Sequence, residues 1–159
     1  QRADVLVYTS DVFSEPLLVA GRPSVKLFVE TDALDTDWFT ILTVVDTAGR
    51  STQLANGRLR ARFAGGLDKE RLLAPNTTHE VEIIMSATAC QVKPGERLRL
   101  NVTSSMFPDY ARNLNTGGPI SYETTPVIAR NTVRHGNQTP SRIILPIVES
   151  GVTMERGVL

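Results

Sequence analysis

The chain has a single cysteine, Cys90. A lone cysteine closes no internal disulfide, so no disulfide framework is expected. Its neighbours Ala89 and Gln91 bring no cation that would activate a thiol, and it reads as a small core residue. Charge of one sign is missing too: 17 basic residues balance 17 acidic ones. No broad field then favours nucleic acid or an anionic membrane, and neither is expected as a partner. No run approaches the roughly 18 apolar residues that span a bilayer. The chain opens on the polar Gln1-Arg2-Ala3-Asp4, without an initiator Met or an apolar leader, as expected of a fragment or processed chain. Aromatic residues are only 6%, and Trp38 is the sole tryptophan.

What is present suits one folded domain of 159 residues, 41% hydrophobic and 21% charged. The dominant period is two. Val25, Leu27 and Val29 alternate with polar or exposed-type neighbours, as do Leu98, Leu100 and Val102. Leu59, Ala61 and Phe63 alternate with Arg58, Arg60 and Arg62, which predicts three arginines on one solvated or interface face of a strand. Val5–Tyr8, Phe39–Val45, Val81–Met85, Val127–Val133 and Ile143–Val148 read as strands buried more on both faces. Pro146 places the last of these at an edge or a bulge. Turns are expected at Thr47-Ala48-Gly49-Arg50, Ala55-Asn56-Gly57 and Lys93-Pro94-Gly95-Glu96. Gly66–Leu73 suggests about two helical turns before Pro75. The sum is an all-β fold, an antiparallel sandwich or barrel of roughly eight to ten strands.

Catalytic chemistry is hard to find. Nucleophilic catalysis needs a Ser, Cys or Thr beside a base that a third group orients. The two histidines, His79 and His135, sit at a strand mouth and in a turn, and no Gly-x-Ser-x-Gly elbow occurs. No catalytic residue is assigned. Asp32, Asp35 and Asp37 have the oxygen chemistry to hold calcium. Asp and Thr in such a stretch also bond nearby backbone in turns, and that is the reading taken. No His/Cys set suits zinc, no glycine-rich loop precedes a helix, and no cofactor is expected.

Several segments together resemble the C-terminal domain shared by cocaine esterase, α-amino acid ester hydrolases, glutaryl-cephalosporin acylases and X-Pro dipeptidyl-peptidases. They are Asp4–Ser10, Pro23–Glu30, Asp35–Phe39, Asn56–Phe63, Lys93–Leu100 and Pro140–Ile147. The most specific is Ser104–Gly118, where Ser-Ser-x-Phe-Pro-x-x-x-Arg-Asn-x-Asn-Thr-Gly is similar to the pattern of that family. Thr43–Thr47 departs from it, standing where the family usually has Leu-x-Asp-Val. The resemblance implies a jelly-roll β-sandwich of galactose-binding-domain-like shape, spanning residues 1–159. It implies that this domain packs on an α/β-hydrolase domain of the same parent polypeptide, and that the Ser-His-Asp triad lies there. The parent would be a serine hydrolase (a dipeptidyl-peptidase, esterase or acylase), with any oligomer formed through it. His135 matches a turn histidine of the family and not the triad's.

The longest irregular stretch is Ser105–Thr125, and loops of that length are usually functional or interface elements. Phe107, Arg112, Asn113 and Asn115 are its candidate binding residues, in an interdomain or active-site-wall loop. Asn113, Asn115 and Thr116 bond nearby backbone readily, and Arg112 is expected to tie loop carbonyls or reach Asp35 or Asp37. A stand-alone carbohydrate-binding sandwich is the alternative. It would need an exposed aromatic platform, and Trp38 beside an apolar strand reads as core instead.

Overall fold

The computed structural model describes residues 2–119 and 121–148. Among the described residues ten strands follow one another: β1 (Val5–Thr9), β2 (Leu17–Gly21), β3 (Ser24–Thr31), β4 (Asp37–Val45), β5 (Ser51–Arg60), β6 (His79–Ile84), β7 (Thr88–Val92), β8 (Arg97–Thr103), β9 (Asn131–Arg134) and β10 (Arg142–Ile144). One sheet has the order β1-β8-β4-β5. The other has the order β10-β3-β6, with β9 also on β3, and β2 and β7 form a separate ribbon. Every pairing is antiparallel. The architecture is the β-sandwich that the period-two pattern predicts.

The alternation decides which face is buried. Val25, Leu27 and Val29 of β3 point inward beside Val81 and Ile83 of β6. Trp38 and Leu42 of β4 meet them from the opposite sheet, with Leu98, Leu100 and Val102 of β8. The middle strand β4 is buried on both faces, because Trp38 and Leu42 face the core and Tyr110 from a later loop covers Phe39 on the outside. β6 differs from the expectation: Val81, Ile83 and Met85 are buried, but Ile84 faces water.

Three local signals misled. Asn56-Gly57 is not a turn but lies inside β5, with Gly57 opposite Thr40. A Cβ on Gly57 would come within 2.9 Å of Ile83 Cγ2 and 3.0 Å of the Ile84 carbonyl oxygen. The glycine is there so that β6 can cross β5 closely, which Ser86 N–H donating to the Asn56 carbonyl at 2.7 Å reinforces. Gly66–Leu73 makes no helix. Its backbone N–H groups are drawn to distant carbonyls, Arg71 to Arg62 at 2.8 Å and Leu73 to Leu34 at 2.8 Å. Val127–Val133 joins the ladder only from Asn131 onward, since β3 ends at Thr31 and Val127 bonds the loop at Leu114 and Asn115 instead. The true turns held: Gly49 and Gly95 have φ of 81° and 89°. Pro146 lies at an edge, where its carbonyl accepts from Ala20 N–H at 3.0 Å, while the strand itself stops at Ile144. Cys90 is half-buried in β7 rather than in the core, and burial pushes its thiol pKa up.

Candidate functional site

The end of the β4–β5 hairpin carries a dense set of charges. Antiparallel register sets Asp37 opposite Arg60 and Phe39 opposite Arg58, all on the outer face. Arg60 grips Asp37 with two bonds of 2.8 and 2.9 Å. Arg58 lies over the Tyr110 ring at 4.7 Å and donates to its hydroxyl at 3.0 Å. The expected third member of that face departs from it. After Arg60 the chain tightens into a 3₁₀ turn, Ala61–Phe63, which swings Arg62 inward to 4% exposure.

Arg62 is drawn inward by Asp35. Asp35, fully buried, accepts from Arg62 Nε at 2.7 Å and from its backbone N–H at 3.0 Å. Glu70 accepts from Nη1, and the Gly118 carbonyl accepts from Nη1 and Nη2. Burial opposes the Arg62 charge, but the Asp35 and Glu70 carboxylates outweigh it and hold its pKa above the ordinary value. A buried pair of this kind fixes geometry more reliably than it adds stability. Here it fastens the turn after β5 to the long loop.

In that loop, between β8 and β9, polar bonds pin Asn113, Asn115, Thr116 and Val127. Asn113 Nδ2 donates to both Asp35 Oδ2 and Asp37 Oδ1 at 2.8 Å. Its Oδ1 accepts from Asn115 N–H at 2.9 Å, and Asn115 Nδ2 donates to the Val127 carbonyl at 2.9 Å. Val127 N–H returns a bond to the Leu114 carbonyl at 2.9 Å. The Thr116 hydroxyl bonds Glu123, and the loop reverses at Asn115 and Gly117, with φ of 62° and 80°.

Of the candidate binding residues, Asn113 and Asn115 form the pins. Contrary to the expectation from sequence, Arg112 does not reach Asp35 or Asp37; Asn113 takes that place. Arg112 is exposed and lies over the Phe107 ring at 5.4 Å. Phe107 is itself 62% exposed. The three aspartates part ways: Asp35 and Asp37 go to arginines, and Asp32 accepts from Arg130 N–H at 2.7 Å. Among the described residues no three His, Cys, Asp or Glu converge as metal ligands would. His135 sits in the β9–β10 turn, 3.0 Å from the Tyr8 hydroxyl, and His79 lies near the Ala74 carbonyl. Neither has a Ser, Cys or Thr hydrogen-bonded to it among the described residues. Trp38 is 2% exposed, so it offers no platform for a sugar. Sequence reading missed the inward turn of Arg62 and the roles of Tyr110 and Glu123. Only the Arg/Asp pairing potential of Asp35-Thr36-Asp37 hinted at the first.

The sequence profile of the X-Pro dipeptidyl-peptidase C-terminal non-catalytic domain matches residues 1–144. Cocaine esterase from Rhodococcus sp. (strain MB1 Bresler) is 39% identical over 150 residues, covering 93% of this chain and 26% of that protein. Two solved structures superpose closely. An α-amino acid ester hydrolase has a TM-score of 0.89 at 28% identity, over 92% of this chain and 26% of that one. An aminopeptidase from a marine-sediment Thaumarchaeota archaeon has a TM-score of 0.88 at 29% identity, over 93% and 26%. The chain thus spans about a quarter of the length of the curated relative it matches. From the profile match and the shared fold together, the chain belongs to the family of X-Pro dipeptidyl-peptidase C-terminal non-catalytic domains.

Proposed function

We propose that this chain is the C-terminal accessory domain of a larger serine hydrolase. It packs on an α/β-hydrolase domain through the long loop and helps shape the entrance to that domain's active site. The observation that carries the reading is a loop fastened by buried charges yet presenting large apolar side chains. Phe107, Tyr122 and Ile128 are 62%, 86% and 96% exposed. A loop with nothing to do would shed such side chains or let them collapse inward. The surface suits the catalytic domain of the same polypeptide, since relatives of this chain are about four times its length. Cocaine esterase and an α-amino acid ester hydrolase among those relatives suggest a parent acting on small ester or amide bonds.

The test uses the upstream catalytic domain expressed as a separate polypeptide. The two should co-elute on size exclusion. Phe107→Asp with Ile128→Asp should abolish co-elution and leave the melting temperature of this chain unchanged, because both side chains face water. Failure of the unaltered chain to associate, or undiminished association of the double variant, would overturn the reading.

A further inference from the structure

A cleft of about 520 Å³ opens at the end of the sandwich, where the long loop turns back over β1 and β8. Trp38 and Val102 line it from the core-facing side of the first sheet, and Arg112, Arg130 and Asn131 from the loop and the start of β9. Among the described residues, two buried side-chain polar atoms have no hydrogen-bond partner: Trp38 Nε1 and Asn131 Oδ1. Both residues line this one cleft. One atom is a donor and the other an acceptor. Buried polar groups are nearly always paired, so two orphans around one cavity mark a place where a partner belongs. The Asn131 amide is held by its other end, Nδ2 donating to Thr36 Oγ1 at 2.9 Å and Ser104 Oγ at 2.7 Å.

The rest of the wall gives the charge of that partner. Neither guanidinium has an acidic partner among the described residues. Arg112 lies over the Phe107 ring, and only the backbone N–H of Arg130 is engaged, by Asp32. The single acid in the wall, Asp4, is itself bonded twice by Arg2. The volume far exceeds the ~30 Å³ that one water occupies and falls among ordinary ligand pockets.

We propose that this cleft binds a small organic carboxylate with an N–H or O–H donor beside the acid group, the chemistry of an N-acyl amino acid. The carboxylate accepts from the arginines and the Trp38 indole, and the neighbouring donor meets Asn131 Oδ1. The docking loop forms one wall of this cleft, so the titration is made on this chain alone: a failed titration removes the ligand, and a failed association removes the docking.

Trp38 is the chain's only tryptophan, so its indole N–H gives one assignable cross-peak in a ¹⁵N-labelled sample. Titration with N-acetylglycine should move that peak saturably. The neutral N-acetylglycinamide should bind at least about tenfold more weakly, because charge-assisted bonds are the stronger ones. An Arg112→Gln, Arg130→Gln variant should lose about tenfold in affinity for the acid, with its unliganded indole peak in place as proof of an intact floor. An unmoved indole peak would overturn the proposal. So would equal binding of acid and amide, or undiminished binding by the double variant.

Discussion

Replacing Asn113 with Ala removes one side chain and three bonds. Two are donated to carboxylates at 2.8 Å, and the third accepts from Asn115 N–H at 2.9 Å. Bonds to charged groups contribute about 1.5–3 kcal/mol each. Here the carboxylates keep their arginines, Asp35 through Arg62 and Asp37 through Arg60, so neither is left bare. Asn113 is also only half-buried, which lets water replace part of what is lost. The expected cost is therefore about 2–4 kcal/mol, below the simple sum. Asn113→Asp should cost more than Asn113→Ala, since it turns a donor into a third acid facing two carboxylates. Arg112→Ala is the contrast. Arg112 has no such bonds, and its loss should stay within about 0.5 kcal/mol. Equilibrium urea unfolding measures all three, with an unchanged m-value confirming that only stability moved. Equal costs for Asn113→Ala and Arg112→Ala would refute the pinning argument, as would an Asn113→Ala cost under about 0.5 kcal/mol.

Gly57→Ala should lower stability by about 1–3 kcal/mol in the same assay, since its new methyl meets Ile83, the Ile84 carbonyl and Thr40 within 3.1 Å; an alanine variant as stable as the parent would show that β6 can back away. The chain by itself should turn over no p-nitrophenyl ester, because no histidine is hydrogen-bonded to a Ser, Thr or Cys among the described residues. Turnover abolished by a serine-directed phosphonylating reagent would show otherwise.

The strands whose patterns are local were legible. Alternating Val25, Leu27 and Val29 and the turn at Lys93–Glu96 carry their own instructions. What failed depended on residues far away in sequence. Asn-Gly is a strong hairpin signal, but Asn56-Gly57 answers to Thr40 in β4 and to β6 crossing above it. Arg62 continued a polar alternation, and only buried Asp35 explains its inward turn. Strands β2 and β7 escaped notice because Leu17–Gly21 and Thr88–Val92 alternate weakly and are strands chiefly through each other. In the candidate site, the residue types at Asn113, Asn115 and Thr116 foretold a self-bonded loop. They did not foretell that Asn113, and not Arg112, would bridge the aspartates, since both were equally placed in sequence and only the path of the chain chooses between them.

The register of β1 sets the order in which this domain can be made. Val5 faces Thr103 and Thr9 faces Arg99, so β1, made ahead of the other nine strands described, has no partner until β8 has been synthesised. The sheet to which it belongs has only one pair of strands adjacent in sequence, β4 and β5. The hairpin can form early; β1 must wait unpaired, exposing Leu6 and Tyr8, and then close the edge last. A segment joined ahead of Val5 would therefore hold the loose end of the fold during synthesis.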